Sequence, residues 1–425
     1  SGHVTIAALA AQLGLALDDL PALTPGLRHG GFQIGGGLLD DAQLAAAFAP
    51  VAAKMQQALT AAGLSQAEHD RVDHLSISAW LEGEAGLAAT DPVRRILEIA
   101  YVEEFGLPVD QQSAFNLLTL IDSTTPDVFR VFGASDERYH LHAGSDALTT
   151  ALADGLADQL YTEHALTQVV AGDPGFTLTF ATAGGDVAAT VDHVVYALPF
   201  TRLREVDLAA AGLSPDKRRI IADLGYGTNA KLMLQFASRP WQVAGSDGGV
   251  ITDVGDLQTT WDSSRGQAGA PGVLTNFVGG ARGLAIGDGS AEQQAATVLP
   301  WLEQIFPGAT AAYLPGSALR QHWPSAPQAK GSYACYTLGQ WSFLGLEGRR
   351  EGDQHFCGEH CSEDFQGYME GGAETGAMVA GEILGDLNTP LPPLLARLLV
   401  LKTDRPRGSY QAGGGSRMTI GEVRR

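Results

Sequence analysis

His355–Leu384 reads H-F-C-G-E-H-C-S-E-D-F-Q-G-Y-M-E-G-G-A-E-T-G-A-M-V-A-G-E-I-L. Its front, His355 to Glu359, has the character of a short buried strand ending in Gly-Glu. From about Gly367 onward it reads as helix. Gly371, Gly372, Ala373, Gly376, Ala377, Ala380 and Gly381 are all small. Each glycine costs a helix about 1 kcal/mol against alanine. So many small residues imply that another surface approaches the backbone closely. A helix start after a glycine turn also offers free N–H groups and a positive dipole end to an electron-rich ligand. The plainer alternative is a Gly/Ala-rich helix packed on a sheet.

The stretch resembles the C-terminal flavin-binding motif of the flavin amine oxidase family, which includes monoamine, polyamine and L-amino-acid oxidases. That pattern is roughly F-x-G-E/T, then G-Y/W-x-x-G-A-x-x-S/T-G. Phe356, Gly358, Glu359, Gly367, Tyr368, Gly371 and Gly376 stand in register with it. The resemblance implies an α/β fold: a Rossmann-like FAD-binding domain, N-terminally incomplete here, interleaved with an α+β substrate domain. The implied FAD-binding segments are 1–25, 137–199 and 341–390. The implied substrate-binding segments are 26–136 and 200–340, and 391–425 forms a C-terminal tail.

A chain of 425 residues is long enough for two domains, and 45% hydrophobic residues supply a core. The net charge of -21 argues against nucleic acid, whose binding needs basic patches. It would steer cationic substrates, although a solvated acidic surface is the plainer and favoured reading. No run of 18 apolar residues occurs, so no membrane span is expected. The chain opens on Ser1, not methionine, and no signal peptide is visible. No compartment is assigned: a soluble cytoplasmic protein and a periplasmic or exported one with its N-terminus removed both stay open.

Cys335, Cys357 and Cys361 are the three cysteines, too few and odd in number for a disulfide framework. His355, Cys357, His360 and Cys361 lie close in sequence, but their spacing fits no common zinc pattern. No metal is expected.

Along the chain, Val4–Leu15 reads as a helix ending near Gly14. Thr24–Gly37, with Pro25 and six glycines, reads as a hairpin or loop. Helices are expected over Ala45–Ala62, Val72–Leu81, Asp91–Phe105 and Gln111–Leu120. Asp91 and Pro92 suit the cap and first turn of the third. Strands are expected over His164–Val169, Thr177–Ala181 and Val187–Thr190, with a Gly184–Gly185 turn between the last two. Val191–Pro199 reads as a further buried strand. Thr228–Phe236 alternates as a strand carrying Lys231, Gly272–Gly280 is a strand and turn, and Ala291–Ile305 is a helix. A lysine flanked by apolar strand residues is either a solvated edge residue or a buried functional one. Gly408–Arg425 reads as a poorly packed surface segment.

The resemblance assigns roles that the residues alone do not. Arg138 and Gly144 sit in the family's R-x-x-x-x-G-G segment, with Ala143 replacing the first glycine. Leu166 occupies the position that bonds adenine through its backbone. Lys231 matches a lysine that holds a water near flavin N5. Leu319–Gln340 matches W-(x)7-G-x-Y through Trp323, Gly331 and Tyr333. Ser332 stands where some members carry a cysteine linked to the flavin, so the FAD should be noncovalent. Cys335 lies past that position and should not substitute. Tyr333 and Tyr368 fall at the two positions of an aromatic cage beside the amine, and two core tyrosines are the plainer alternative. Trp323, Gly358, Glu359, Gly367 and Met369 complete the implied cofactor side.

The family's opening strand–G-x-G-x-x-G–helix unit, which holds the FAD pyrophosphate, is not found. Ser1–Gly2–His3 instead resembles the family just downstream of it. The expected activity is FAD-dependent oxidation of a primary or secondary amine to an imine, with oxygen reduced to hydrogen peroxide. An L-amino-acid oxidase is the near alternative and would need a guanidinium or its equivalent for the carboxylate. A form with weak or no FAD binding, acting as a scaffold, is the alternative of another class. The expected partners are a small-molecule amine or amino acid and oxygen, with a homodimer left open.

Overall fold

The computed structural model describes residues 2–403 apart from 126, 134, 136 and 137. Its described residues form two compact units. Among the described residues, one draws on 2–19, 138–224 and 343–403, the other on 20–135 and 225–342. The Gly408–Arg425 expectation lies outside the described residues.

In the first unit, Gln354–Phe356 is a fully buried strand paired in parallel with Val194–Tyr196. The expected Val191–Pro199 strand is therefore only three residues long, because this short partner sets its length. Ala165–Ala171, Phe176–Thr182 and Gly185–Val191 form an antiparallel meander, each strand longer than its expected range and the last two joined at the expected Gly184–Gly185 turn. Leu17–Asp19 pairs antiparallel with Tyr139–Leu141. The helix Val4–Gln12 lies against Met369–Asp386, and Ala10, Leu141 and Leu148 make a small core nearby.

Buried Glu370 joins those two helices. Its carboxylate accepts from the N–H groups of Thr5 and Ile6, each at 2.8 Å. His3, the cap residue, makes no side-chain cap bond. A carboxylate from a remote helix thus fills the anion-favouring start of Val4–Gln12. Phe200–Leu224 belongs to this unit by its bonds. The Ser214 N–H donates to Glu351 at 2.7 Å, and Lys217 Nζ donates to the carbonyls of Leu346 and Glu347 at 2.7 and 2.6 Å.

The second unit is built on a seven-stranded sheet. Its order is Leu319–His322, Ala230–Phe236, Gly272–Val278, Gln258–Asp262, Val250–Thr252, Phe32–Ile34, Gly37–Leu38. Ala230, Leu232, Leu234 and Phe236 alternate inward to a core shared with Val298, Leu299 and Leu302 of the helix Ala291–Ile305. That helix has the expected bounds, started by a Ser290/Gln293 capping box. Pro92–Phe105 is capped by Asp91 as expected, its side chain accepting from Val93 and Arg94 N–H.

Val72–Leu81 is not one helix. Gln66–Asp73 ends, and the Ser76 hydroxyl accepts from Ala79 N–H to start a new turn. The hydroxyl competes with the helical backbone bond, so the hydrophobic pattern runs through a break. Among the described residues no helix is long and apolar enough to cross a membrane.

Candidate active site

The first unit carries its candidate residues on one strand–turn–helix segment. Gly358 follows the buried strand with φ 140, in the range that favours glycine, and an added Cβ would lie 2.6 Å from the His360 ring. Thr375 locks this turn to the helix. Its hydroxyl accepts from Gly358 N–H at 3.0 Å and donates to the Gly371 carbonyl at 2.7 Å. Half-buried Glu359 closes the following loop by accepting from Gly367 N–H at 2.6 Å. Ser362 repeats the device one layer deeper, donating to buried Glu374 at 2.5 Å and accepting from Phe365 N–H at 2.9 Å. Tyr368 caps the helix Met369–Asp386, its ring 5.1 Å from that of His3. Met369, beside it, is 48% exposed.

The glycines of this helix divide into two kinds. A Cβ at Gly371 would fall 2.2 Å from the Phe365 carbonyl, and one at Gly381 would fall 3.0 Å from Leu399. Those two are packing glycines. A Cβ at Gly376 would meet nothing within 4 Å, and one at Gly372 only the Glu359 backbone nitrogen, at 4.0 Å. No neighbouring residue requires these two to be glycine. The face they share, one turn apart, is kept bare beside the Glu359 amide.

The thiols and imidazole of the segment are not reactive groups. Burial pushes the Cys357 thiol up to about 11. Burial, then Glu347 beside it, raises Cys361 well above the ordinary thiol value. Burial, with Lys217's charge adding, lowers His360 to about 3, so its imidazole is neutral.

Arg138 is exposed and forms a two-pronged pair with Asp19, at 2.9 and 2.5 Å. Gly144 turns at φ 93 before the helix Asp146–Asp154. Leu166 sits at a bulge in the exposed meander.

In the second unit, Lys231 is not on an edge. Its strand lies between Gly272–Val278 and Leu319–His322, with Phe277 and Gln321 as cross-strand partners. Its half-buried ammonium faces three rings: Trp261 at 5.2 Å, Phe277 at 5.4 Å and Trp323 at 5.5 Å. Each ring centroid is within cation–π range. The solvated-edge alternative is excluded by this placement, and Trp323 is brought to Lys231.

Tyr333 and Ser332 lie on a segment held to Gly225–Gly227 by the bonds Gly227 N to Tyr333 O, Ser332 N to Gly227 O and Cys335 N to Gly225 O, each 2.9 Å. A Cβ at Gly225 would be 2.3 Å from the Cys335 carbonyl, so the chains meet only through glycine. The Ser332 hydroxyl donates to Asn229 Oδ1 at 2.5 Å, and the same buried amide donates to the Glu103 carbonyl. The Tyr333 hydroxyl donates to that carbonyl at 3.3 Å. Cys335 is wholly buried and its thiol strongly raised by burial. Two further residues shape the site: Thr375, legible in the sequence as the S/T position of the motif just before Gly376, and Asn229, legible only as a polar residue two before Lys231.

The family model for flavin containing amine oxidoreductases matches residues 6–384. The chain belongs to that family. RebO, the flavin-dependent L-tryptophan oxidase of Lentzea aerocolonigenes, is 24% identical over 268 residues, 60% of this chain and 53% of its own. YobN of Bacillus subtilis (strain 168) is 24% identical over 293 residues, 66% of this chain and 59% of its own. The chain thus spans a little over half the length of these relatives. Two solved structures share the fold. Putrescine oxidase bound to putrescine has a TM-score of 0.72 at 17% identity, over 90% of this chain and 86% of that one. Cyclohexylamine oxidase from Brevibacterium oxydans IH-35A has a TM-score of 0.73 at 18% identity, over 91% and 86%.

Membership implies a flavin. The bare Gly372–Gly376 face, with the Glu359 amide beside it and the helix start at Tyr368–Met369, fits a flat, electron-rich group. The mixed α/β architecture is the one expected.

Proposed function

We propose that this chain is an FAD-dependent oxidase converting a primary or secondary amine to its imine. The observation that carries this reading is the helix face left open at Gly372 and Gly376, whose glycines no packing neighbour demands. FAD, when bound, would supply the hydride acceptor for the carbon beside the amine nitrogen, and that hydride with the proton lost from nitrogen would leave on oxygen as hydrogen peroxide. Water then hydrolyses the imine to an aldehyde or ketone and ammonia or a smaller amine.

FAD binding is assigned to the first unit, including Phe200–Leu224, and substrate binding to the second. Gly358, Glu359, Gly367 and Met369 hold the cofactor at the bare face. Arg138, Gly144 and Leu166 serve its nucleotide portion, Leu166 through its backbone. Nothing in the Ser332 side chain forms a bond to carbon of a flavin ring, so the cofactor is held noncovalently.

The remaining residues act on substrate and water. Tyr333 and Tyr368 each offer an aromatic face that attracts the amine and excludes water. The amine must shed its proton to lose hydride, and desolvation against rings favours the neutral form. Lys231 holds a water, and the rings of Trp261, Phe277 and Trp323 keep its ammonium in one place.

A second reading, an L-amino-acid oxidase, is favoured by the name of RebO. Peroxide release measured on matched pairs, each L-amino acid against the amine lacking its carboxylate, separates the two. A higher kcat/KM for the amines supports amine oxidation. Preference for the amino acids by more than about tenfold, the worth of one charge-assisted bond, replaces it with the second reading.

A further inference from the structure

Three side chains of the first unit converge away from the bare glycine face: His193, His355 and Asp386. One ligand atom from each lies within 4.8 Å of the others. The strand pair and the end of a long helix position them. His355 is fully buried on Gln354–Phe356, and His193 directly precedes the parallel partner strand Val194–Tyr196. Asp386 is the last residue of Met369–Asp386.

His355 is oriented by a further carboxylate. Its Nδ1 is 2.9 Å from Glu382 Oε2. An ionised carboxylate only accepts, so the proton of this contact lies on Nδ1, and in that tautomer Nε2 carries the lone pair. That nitrogen lies 3.4 Å from His193 Nδ1. The separation is long for an N–H hydrogen bond, which peaks near 2.9–3.0 Å. It matches the edge of a tetrahedron around zinc: metal–nitrogen bonds of about 2.0–2.1 Å place two ligand nitrogens roughly 3.3–3.4 Å apart. A carboxylate behind a ligating histidine is the usual second support of such a site. Glu382 and Asp386 are one turn apart, so the supporting and the ligating carboxylate share a helix face.

We propose that His193 Nδ1, His355 Nε2 and one oxygen of Asp386 bind a divalent cation of the zinc type, with water completing the shell. Arg350 Nη1 pairs with Asp386 Oδ2 at 2.7 Å and fixes the carboxylate. Asp353, 3.9 Å from His193 Nδ1, is the next carboxylate at hand. Two imidazoles and a carboxylate select zinc, nickel or cobalt over magnesium or calcium. The cation would sit at a helix C-terminus, where positive charge is favoured. It would pin the far end of the helix whose start carries Tyr368. This site is independent of the oxidase reading.

The test uses the full chain without a histidine tag, stripped with chelator and titrated with zinc ion by calorimetry. One equivalent should bind and raise the thermal midpoint. His193→Ala and Asp386→Asn should each weaken binding by about tenfold or more, and Glu382→Gln by about ten- to hundredfold. Asp386 is exposed, so its variant reports even where a histidine variant loses the fold. His142→Ala, at an exposed histidine paired with Asp18, should leave zinc binding unchanged. Absence of a stoichiometric site overturns the inference. Binding equal in Asp386→Asn and the parent overturns it too, as does loss in His142→Ala alone.

Discussion

Changing Lys231 to Met removes one ammonium and keeps the unbranched stem. The three rings at 5.2, 5.4 and 5.5 Å set the structural side of the outcome. Cation–π contacts contribute about 0.5–1 kcal/mol each when partly solvated. A thioether against aromatic rings returns about 0.3–1.5 kcal/mol. The net loss of stability is therefore about 1 kcal/mol, a thermal midpoint lower by a few degrees. The chemical side is larger. A positioned proton carrier is worth about 10²–10⁴ in rate, so a water without its anchor should slow one half-reaction by about 100-fold, or ~2.7 kcal/mol. The assay is stopped-flow absorbance of the FAD-loaded protein, with anaerobic reduction by substrate and reoxidation by dissolved oxygen followed separately. Circular dichroism and the thermal midpoint serve as the fold control. Rates within twofold of the parent in both half-reactions, with the fold intact, would refute the role. Lys231 would then be a packing residue whose charge the rings merely accommodate.

Tyr368→Ala should raise KM and lower kcat together, reducing kcat/KM by about tenfold as an aromatic wall is lost; parent-like kinetics across all substrates would remove Tyr368 from the site. Acid precipitation of the loaded protein should leave yellow flavin in the supernatant, because Ser332 offers a hydroxyl already bonded to Asn229; colour retained in the pellet would mean a covalent link. His360 is buried with its pKa lowered from 6.5 to about 3. Between those values the unfolded chain takes up a proton that the native imidazole refuses, so stability falls as pH falls through that window. His360→Phe should flatten the stability–pH curve there by up to about 1.4 kcal/mol per pH unit, and parallel curves for the two proteins would show that another group sets the slope.

Local signals were enough for much of the scaffold. Asp91 with Pro92 announced one helix, and Ala291–Ile305 was legible as another to its ends. Alternation gave the strand Ala230–Phe236, and the Gly184–Gly185 turn marked the last hairpin of the exposed meander. The motif stretch was legible because a glycine turn, a strand end and a helix start follow one another within a single segment. What was not legible depends on residues far apart in sequence. Glu370 reads as one more acidic residue in a helix, and only folding brings it to the start of Val4–Gln12. Lys231 reads from composition alone as an edge residue sooner than a buried one, because strand order is not a local property. The division of glycines 371, 372, 376 and 381 into packing and bare positions depends on Phe365, Glu359 and Leu399. His355 was grouped in sequence with Cys357, His360 and Cys361, yet among the described residues its side chain converges with His193 and Asp386.

The most direct test of flavin-dependent amine oxidation is the visible spectrum of the purified, FAD-loaded chain under anaerobic conditions. Adding amines and L-amino acids one at a time should bleach the flavin band with at least one of them. Admitting air should then restore the band and yield one peroxide per flavin reduced. A protein that holds FAD stoichiometrically, is bleached by dithionite and is left unbleached by every amine and amino acid would contradict the account.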